Sequence, residues 1–335
     1  MGGCILIGID IGSKFIKVCK IIKDKKAEYS ILCAMTASSP ELSVQIQKLK
    51  ILLKKLKIKK DGCFLAVGGK ELIYRDLFVP KNINKKQLSN VLSLEFSQSV
   101  TEDVSKMFQS FTFVNSNVDN KDKFLYTAAP RQKIMAKINV IKSIGELNLL
   151  GINMESLALV NAFETFGPSY KNSESLILAN IGFKNTNIVV LKNNEIVFMR
   201  DIDFGGDDVT NYLIHSYTIP NKLAEEIKKR TELWQDIGFN IKNSLKKSSA
   251  NFLETIFRTI EYCITRQFVS SMDRIVITGG GANLYGIDSF IEETLGIPTV
   301  KWNPLEEIKV KGYVNKDYGC FVPVVLGLAL DNNRK

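Results

Sequence analysis

Histidine is almost missing from this chain: His215 is the only one among 335 residues. Imidazole acid–base catalysis and multi-histidine metal sites therefore have little to build on. The six cysteines (Cys4, Cys19, Cys33, Cys63, Cys263 and Cys320) lie far apart with no CxxC pair. That spacing argues against a zinc ribbon or disulfide framework and reads as reduced thiols in a cytoplasm. No apolar run approaches the roughly 20 residues a bilayer span needs. The N-terminus has no charged segment followed by an apolar core, so no export signal is expected. Acidic residues are outnumbered, 35 against 45 Lys+Arg, for a formal charge of +10. Such a balance favours acidic partners: phosphate ligands, nucleic acid or an anionic membrane face. Aromatics are not interleaved with the basic runs as stacking platforms require, which argues against nucleic acid.

What is present suits a soluble globular protein of two ordinary domains, at 45% hydrophobic and 24% charged. The organising stretch is Ile5 to Lys20, ILIGIDIGSKFIKVCK. Ile5 to Ile9 reads as a buried strand, Gly12-Ser13 as a turn, and Phe15 to Val18 as the returning strand. Backbone N–H groups of such a turn form a nest for phosphate oxygens. Asp10, just before it, is placed to hold a cation through water. A plain hairpin with a glycine and an aspartate is the alternative reading.

Further along, Ala27 to Ala37 reads as a strand and Pro40 to Ile58 as an amphipathic helix, whose run Lys54 to Lys60 reads as its solvated face. Strands are expected at Gly62–Val67, Glu71–Pro80, Phe108–Val114, Lys123–Ala129 and Ile152–Leu157, with helices over Asn84–Val100, Arg131–Leu150 and Leu159–Phe166. Then the pattern restarts. Ser175 to Gly182 is a strand ending in a glycine turn, Asn187 to Leu191 returns, Asn193-Asn194 turns, and Ile196 to Ile202 follows. Repetition of a whole subdomain is more informative than either turn alone. Helices follow at Asp207–Tyr217, Lys222–Arg230 and Asn251–Ser270. The strand Arg274–Ile277 runs into Gly279-Gly280-Gly281-Ala282-Asn283, and a last helix covers Val322–Leu330. Three glycines between a strand and a helix let backbone approach a ligand closely.

These ordered glycine turns resemble the actin/Hsp70/sugar-kinase ATPase superfamily over essentially the whole chain. Within it, the sequence is most similar to the PilM family of type IV pilus assembly proteins, relatives of the cell-division protein FtsA. The residues that carry this are GIDIGSKFIKV, RDLFVP, IVFMRDIDFGGDDVT, LAEEIKK, IVITGGGANLYGID, WNP and the final LGLAL. The resemblance implies an α/β fold of two actin-like (ribonuclease H-like) lobes with mixed five-stranded sheets and an FtsA-type inserted subdomain. The first lobe would occupy 1–70 and 121–170, with the insert at 71–120. The second would occupy 171–205 and 255–320, with a small subdomain at 206–254 and a C-terminal helix, 321–335, returning to the first lobe.

It also implies ATP and Mg²⁺ as ligands. Gly12, Ser13 and Lys14 would line the first phosphate loop and Gly182 the second. Gly279, Gly280, Gly281 and Asn283 would form the adenosine loop, with Glu225 and Lys228 flanking the nucleoside. Asp10 would reach Mg²⁺ through water. Two departures stand out. Asn180 replaces the aspartate usual in the second loop, so binding is expected to be retained more securely than hydrolysis. Lys14 and Phe15 stand where small hydroxyl residues are frequent. Lys14 either replaces a hydroxyl as a phosphate-facing cation or points outward.

By the same resemblance the protein would be cytoplasmic, held at the inner membrane face through the cytoplasmic tail of a PilN-like protein and connected to other assembly components. The peptide groove is expected near Arg75, Leu77, Val79 and Leu94. Self-association is left open, and no direct membrane insertion is expected. An FtsA-like division protein is one alternative; the sequence ending at Lys335 lacks that family's amphipathic tail. A small-molecule kinase is another, with Asp201 or Asp203 as its carboxylate.

Overall fold

The computed structural model describes residues 5–23, 29–59, 61–69, 72–114, 120–145, 147–168, 175–230, 240–308 and 316–330. Cys4 and Trp234 lie outside the described residues. The chain divides into two compact units, 70–143 and the remainder.

The larger unit holds two five-stranded mixed sheets with the same topology. In the first, β1 (Ile5–Ile11), β2 (Phe15–Lys23), β3 (Tyr29–Ala37), β4 (Gly62–Val67) and β8 (Asn148–Met154) run in the order β3-β2-β1-β4-β8. In the second, β9 (Ser175–Ile181), β10 (Thr186–Lys192), β11 (Glu195–Ile202), β12 (Arg274–Thr278) and β13 (Thr299–Lys301) run β11-β10-β9-β12-β13. In each sheet the first three strands are antiparallel and the last two parallel to the first. The repeat read in the sequence is thus a repeat of fold. The turn from β10 to β11 follows its chemistry, since Asn193 and Asn194 both take positive φ, +51° and +65°.

Near-continuous apolar runs in β1 and β9 reflect burial on both faces. After β13, Asn303 caps the short helix α10 (Pro304–Glu307), its side chain accepting the Leu305 N–H. Helix α11 (Pro323–Ala329) lies on β1 so closely that a Cβ on Gly8 would stand 2.0 Å from the Val325 carbonyl oxygen. With α4 (Glu155–Phe166), α11 forms a core that draws on both sheets: Cys19, Phe163, Leu176, Leu178, Trp302 and Val325 share it. On the other face of the second sheet, Ile177, Ala179 and Val190 pack with α5 (Gly206–Tyr217), α6 (Asn221–Ile227), α7 (Ile241–Ser248), α8 (Ala250–Thr265) and α9 (Ile287–Leu295). Helix α1 (Leu42–Lys55) buries Leu49, Leu52 and Leu53 and leaves Lys50, Lys54 and Lys55 exposed, the solvated face its spacing indicates.

The smaller unit is a three-stranded sheet, β5 (Ile73–Pro80), β6 (Met107–Val114) and β7 (Lys121–Pro130), in the order β5-β7-β6. Helix α2 (Lys85–Ser99), N-capped by Asn84, buries Leu92 and Phe96 against Leu77, Val79, Phe124 and Tyr126. Here the structure differs from the expected boundary. Residues 121–130, assigned above to the first lobe, are the central strand of the insert, paired along their length with β5 and β6. Strands β6 and β7 are hydrogen-bonded neighbours, so the insert continues past the expected border at residue 120. Helix α3 (Arg131–Lys142) also belongs to this unit and ends well before Leu150. Gly145, at φ +73°, breaks it, and the following apolar residues form β8 four residues earlier than expected.

Candidate binding site at the glycine turns

The two repeated hairpins close in the same way. Gly12 N–H donates to the Phe15 carbonyl at 3.0 Å, and Gly182 N–H donates to the Asn185 carbonyl at 2.9 Å. Carbonyls of the second turn then cap α5: Gly206 N–H donates to Gly182 at 3.0 Å and Asp207 N–H to Phe183 at 2.8 Å. Asp208 Oδ2 accepts the Gly205 N–H at 2.8 Å and completes that cap.

The third turn owes its glycines to packing within the protein. Gly279 has φ +85°, and a Cβ there would lie 2.5 Å from Asn180 Oδ1. At Gly280 it would meet the Phe321 ring at 2.6 Å, and at Gly281 the Ile181 side chain at 2.3 Å. Asn283 is exposed at the end of this turn.

All three turns converge. The third rests against the strand leading into the second, because Thr278 of β12 pairs with Asn180 of β9. Phe15, beside the first turn, meets Phe321 edge-to-face with ring centroids 5.5 Å apart, and Phe321 lies under Gly280. Lys14 sits with its ammonium 4.4 Å from the centroid of the Phe183 ring in the second turn.

Lys14 neither points away nor stands alone: it forms an ion pair with Glu225 Oε2 of α6. The other oxygen, Oε1, accepts from Thr210 Oγ1 at 2.6 Å and from Lys228 Nζ at 2.9 Å. Lys228 also donates to the Gly206 carbonyl at 2.7 Å and to Thr210 Oγ1, so its three N–H donors are all used inside the protein. The expected pair on one helix face therefore exists, with Lys228 buried and its ammonium turned to Gly206, Thr210 and Glu225. Burial works to raise the Glu225 pKa. Hydrogen bonds from Lys14 and Thr210 and the charge of Lys228 overcome it and hold the group at about 2. Burial lowers the pKa of Lys228, and Glu225 offsets part of that.

Beside this network opens a cleft of about 540 Å³ lined by Lys14, Phe183, Lys222, Glu225, Lys229 and Arg230, among others. Four cations (Lys14, Lys222, Lys229 and Arg230) face two carboxylates (Glu225 and Glu226) in its lining, a net positive surface that favours an anionic ligand.

Asp10 is buried under Gly12. Its Oδ2 pairs with Lys17 Nζ at 2.6 Å, while Oδ1 is buried without a hydrogen-bond partner. An orphaned buried carboxylate oxygen calls for a ligand, and a water of a hydrated cation fits it. No cluster of three or more His, Cys, Asp or Glu able to hold a metal occurs among the described residues. A cation here would thus be held through water and by its other ligands. Asn180 heads a polarised chain instead: its Nδ2 donates to Asn187 Oδ1 at 2.8 Å, and Asn187 Nδ2 donates to Asp201 Oδ1 at 2.9 Å. Burial raises the Asp201 pKa, partly countered by hydrogen bonds from Asn187 and the Gly69 N–H.

In the insert, Arg75 and Leu94 are exposed, but Leu77 and Val79 are buried core residues packed with Leu92 and Phe96 of α2. Phe183, Thr210 and Phe321 complete the site around the turns; Thr210 ends the motif IVFMRDIDFGGDDVT, whereas no quoted motif contains Phe183 or Phe321.

The family model for the type IV pilus assembly protein PilM matches residues 8–331. The chain belongs to the PilM family. A solved PilM-PilN type IV pilus biogenesis complex matches with a TM-score of 0.84 at 18% identity, covering 98% of this chain and 99% of that one. The ethanolamine utilization protein EutJ of Carboxydothermus hydrogenoformans matches with a TM-score of 0.57 at 16% identity, covering 98% and 90%. At these identities the likenesses establish a shared fold, the actin-like one. No helix of this PilM-family chain is long and apolar enough to cross a membrane, among the described residues.

Proposed function

We propose that this PilM-family protein is an ATP-binding, actin-like scaffold of type IV pilus assembly that captures the cytoplasmic tail of a PilN-like membrane protein. The observation that carries the nucleotide part is the meeting of three glycine turns beside a cleft to which Lys14 and Phe183, flanking the first two turns, contribute. The Gly12 and Gly182 N–H groups close their own hairpins, so it is the amides that follow them in the two turns that cradle phosphate oxygens, with Lys14 as the adjacent cation. Asn283 and the Gly279–Gly281 turn face the nucleoside. Mg²⁺, when bound, neutralises phosphate charge, and Asp10 Oδ1 holds one of its waters. With Asn180 neutral and tied to Asn187, the second turn supplies no carboxylate to activate water, so turnover is slow or absent.

The partner part rests on family membership and on the fold shared with a PilM that was solved with PilN. Strands β5 and β6 are the outer strands of the inserted sheet, and an extended tail pairs naturally with such an edge. Binding through that tail places the protein at the inner face of the membrane without insertion.

Calorimetric titration tests both parts. Mg²⁺–ATP should bind with measurable heat and a raised melting temperature, with little phosphate released. A synthetic peptide of a PilN-like N-terminal tail should bind as a monomeric ligand. No heat with ATP removes the nucleotide reading, and no heat with the peptide removes the scaffold reading.

A further inference from the structure

We propose that Lys14 is a transferable cation: Glu225 holds it across the cleft, and a polyphosphate entering the cleft takes it over. The proposal rests on the nucleotide-binding reading above and adds a regulation of that site.

Among the residues lining the cleft, Lys14 alone comes from the first lobe; Phe183, Lys222, Glu225, Lys229 and Arg230 come from the second. Its pairing with Glu225 therefore ties the first glycine turn to α6 across the space a ligand would enter. The two carboxylate oxygens divide their work. Oε1 is fixed by Thr210 and Lys228, at 2.6 and 2.9 Å, whereas Oε2 carries Lys14. When Lys14 leaves, Glu225 keeps a cationic and a hydroxyl partner, so no buried charge is stranded. Without that arrangement the transfer would be costly.

Lys14 is free to move because its side chain is 30% exposed and, apart from Glu225, its ammonium meets only the face of the Phe183 ring among the described residues. An ammonium is a compact point charge that prefers the denser negative charge of a polyphosphate to one carboxylate. Until transfer, however, Glu225 competes with the ligand for Lys14. The affinity withheld equals the net worth of the ion pair, which for a partly exposed pair corresponds to about fivefold in binding. By linkage, ligand binding frees α6 from the first lobe to the same extent.

The test is titration of Mg²⁺–ATP and, separately, of inorganic tripolyphosphate into the full chain and into E225Q, K14M and the double variant. The side-chain amide introduced by E225Q retains an oxygen to accept from Thr210 and Lys228, so the fold is kept, and unfolding curves without ligand verify this. We expect E225Q to bind about fivefold more tightly than the parent, K14M to bind more weakly, and E225Q to have no effect in the K14M background. Tripolyphosphate should also speed hydrogen exchange of α6 amides in the parent and not in K14M, a readout that needs no change at Glu225. If the parent binds ATP but E225Q binds equally or more weakly, Glu225 is a bystander or a direct ligand contact. The transfer is then overturned while the nucleotide reading stands. Absence of binding by every variant overturns both.

Discussion

At Gly327, helix α11 meets α4 so closely that a Cβ atom would stand 1.6 Å from the carbonyl oxygen of Ala158. Backbone, not a flexible side chain, occupies that space. Gly327→Ala must push the two helices apart or deform one, which costs on the order of 2–3 kcal/mol or more. Chemical denaturation of the variant should show that loss. By contrast, Gly145→Ala has open space at its Cβ and meets only the strain of positive φ, at +73°; the expected cost is about 1 kcal/mol.

The chain from Asn180 through Asn187 to Asp201 has a direction, from donor to acceptor. N180D removes the donor and sets a carboxylate against Asn187 Oδ1. The amide of Asn187 cannot flip to answer this without turning its oxygen toward Asp201. We expect N180D to cost about 1–3 kcal/mol. N180D/D201N reverses the whole chain, with the amide oxygen introduced by D201N still able to accept the Gly69 N–H, and should recover most of the loss. Urea unfolding of the two singles and the double gives the coupling directly, and additive losses would contradict it.

Strand–glycine–strand repetition disclosed two lobes of one topology in the sequence, because buried strands and turns write themselves locally in apolar runs and glycines. Convergence of the turns followed from that topology. Lys14 reaching Glu225 and Phe15 reaching Phe321 are not legible, because each contact joins residues far apart in the chain and a local motif says nothing of which distant side chain it meets. The burial of Lys228 is not legible for the same reason: helical spacing shows which side chains share a face, not which face is buried. The boundary of the insert failed because β7 is strand-like in sequence wherever it pairs.

Glu225 makes stability depend on acid. Its folded pKa, about 2, lies below the ordinary 4.5, so its contribution is full above about pH 4.5 and is lost as pH falls toward 2. The shift corresponds to at most about 3 kcal/mol, and the burial of Lys228 takes back a share. The parent should therefore exceed E225Q in stability at pH 7, and the gap should close between roughly pH 4.5 and 2. Parallel denaturation curves across that range provide the comparison; a gap that persists at the acid end would contradict the assignment.

The five described cysteines are all buried. Burial pushes the thiol of Cys63 up to about 12 and those of Cys263 and Cys320 up to about 11. Cys19 is raised too, by burial and by Cys33, whose sulfur lies 3.1 Å away across β2 and β3. Thiolate is the reactive form. Ellman's reagent should leave these five unmodified in the native protein at about pH 8 and titrate them only in denaturant. Rapid native labelling of Cys63, read by mass spectrometry, would contradict this.

The helix that roofs β1 is written far downstream of it in the message, with both lobes' remaining sheets and the insert in between. A ribosome delivers the strand early and its lid much later, so the nascent first lobe waits through that interval with the surface around Gly8 uncovered. Closure of the first lobe therefore waits for α11, a segment that belongs to the far side of the second sheet in chain order.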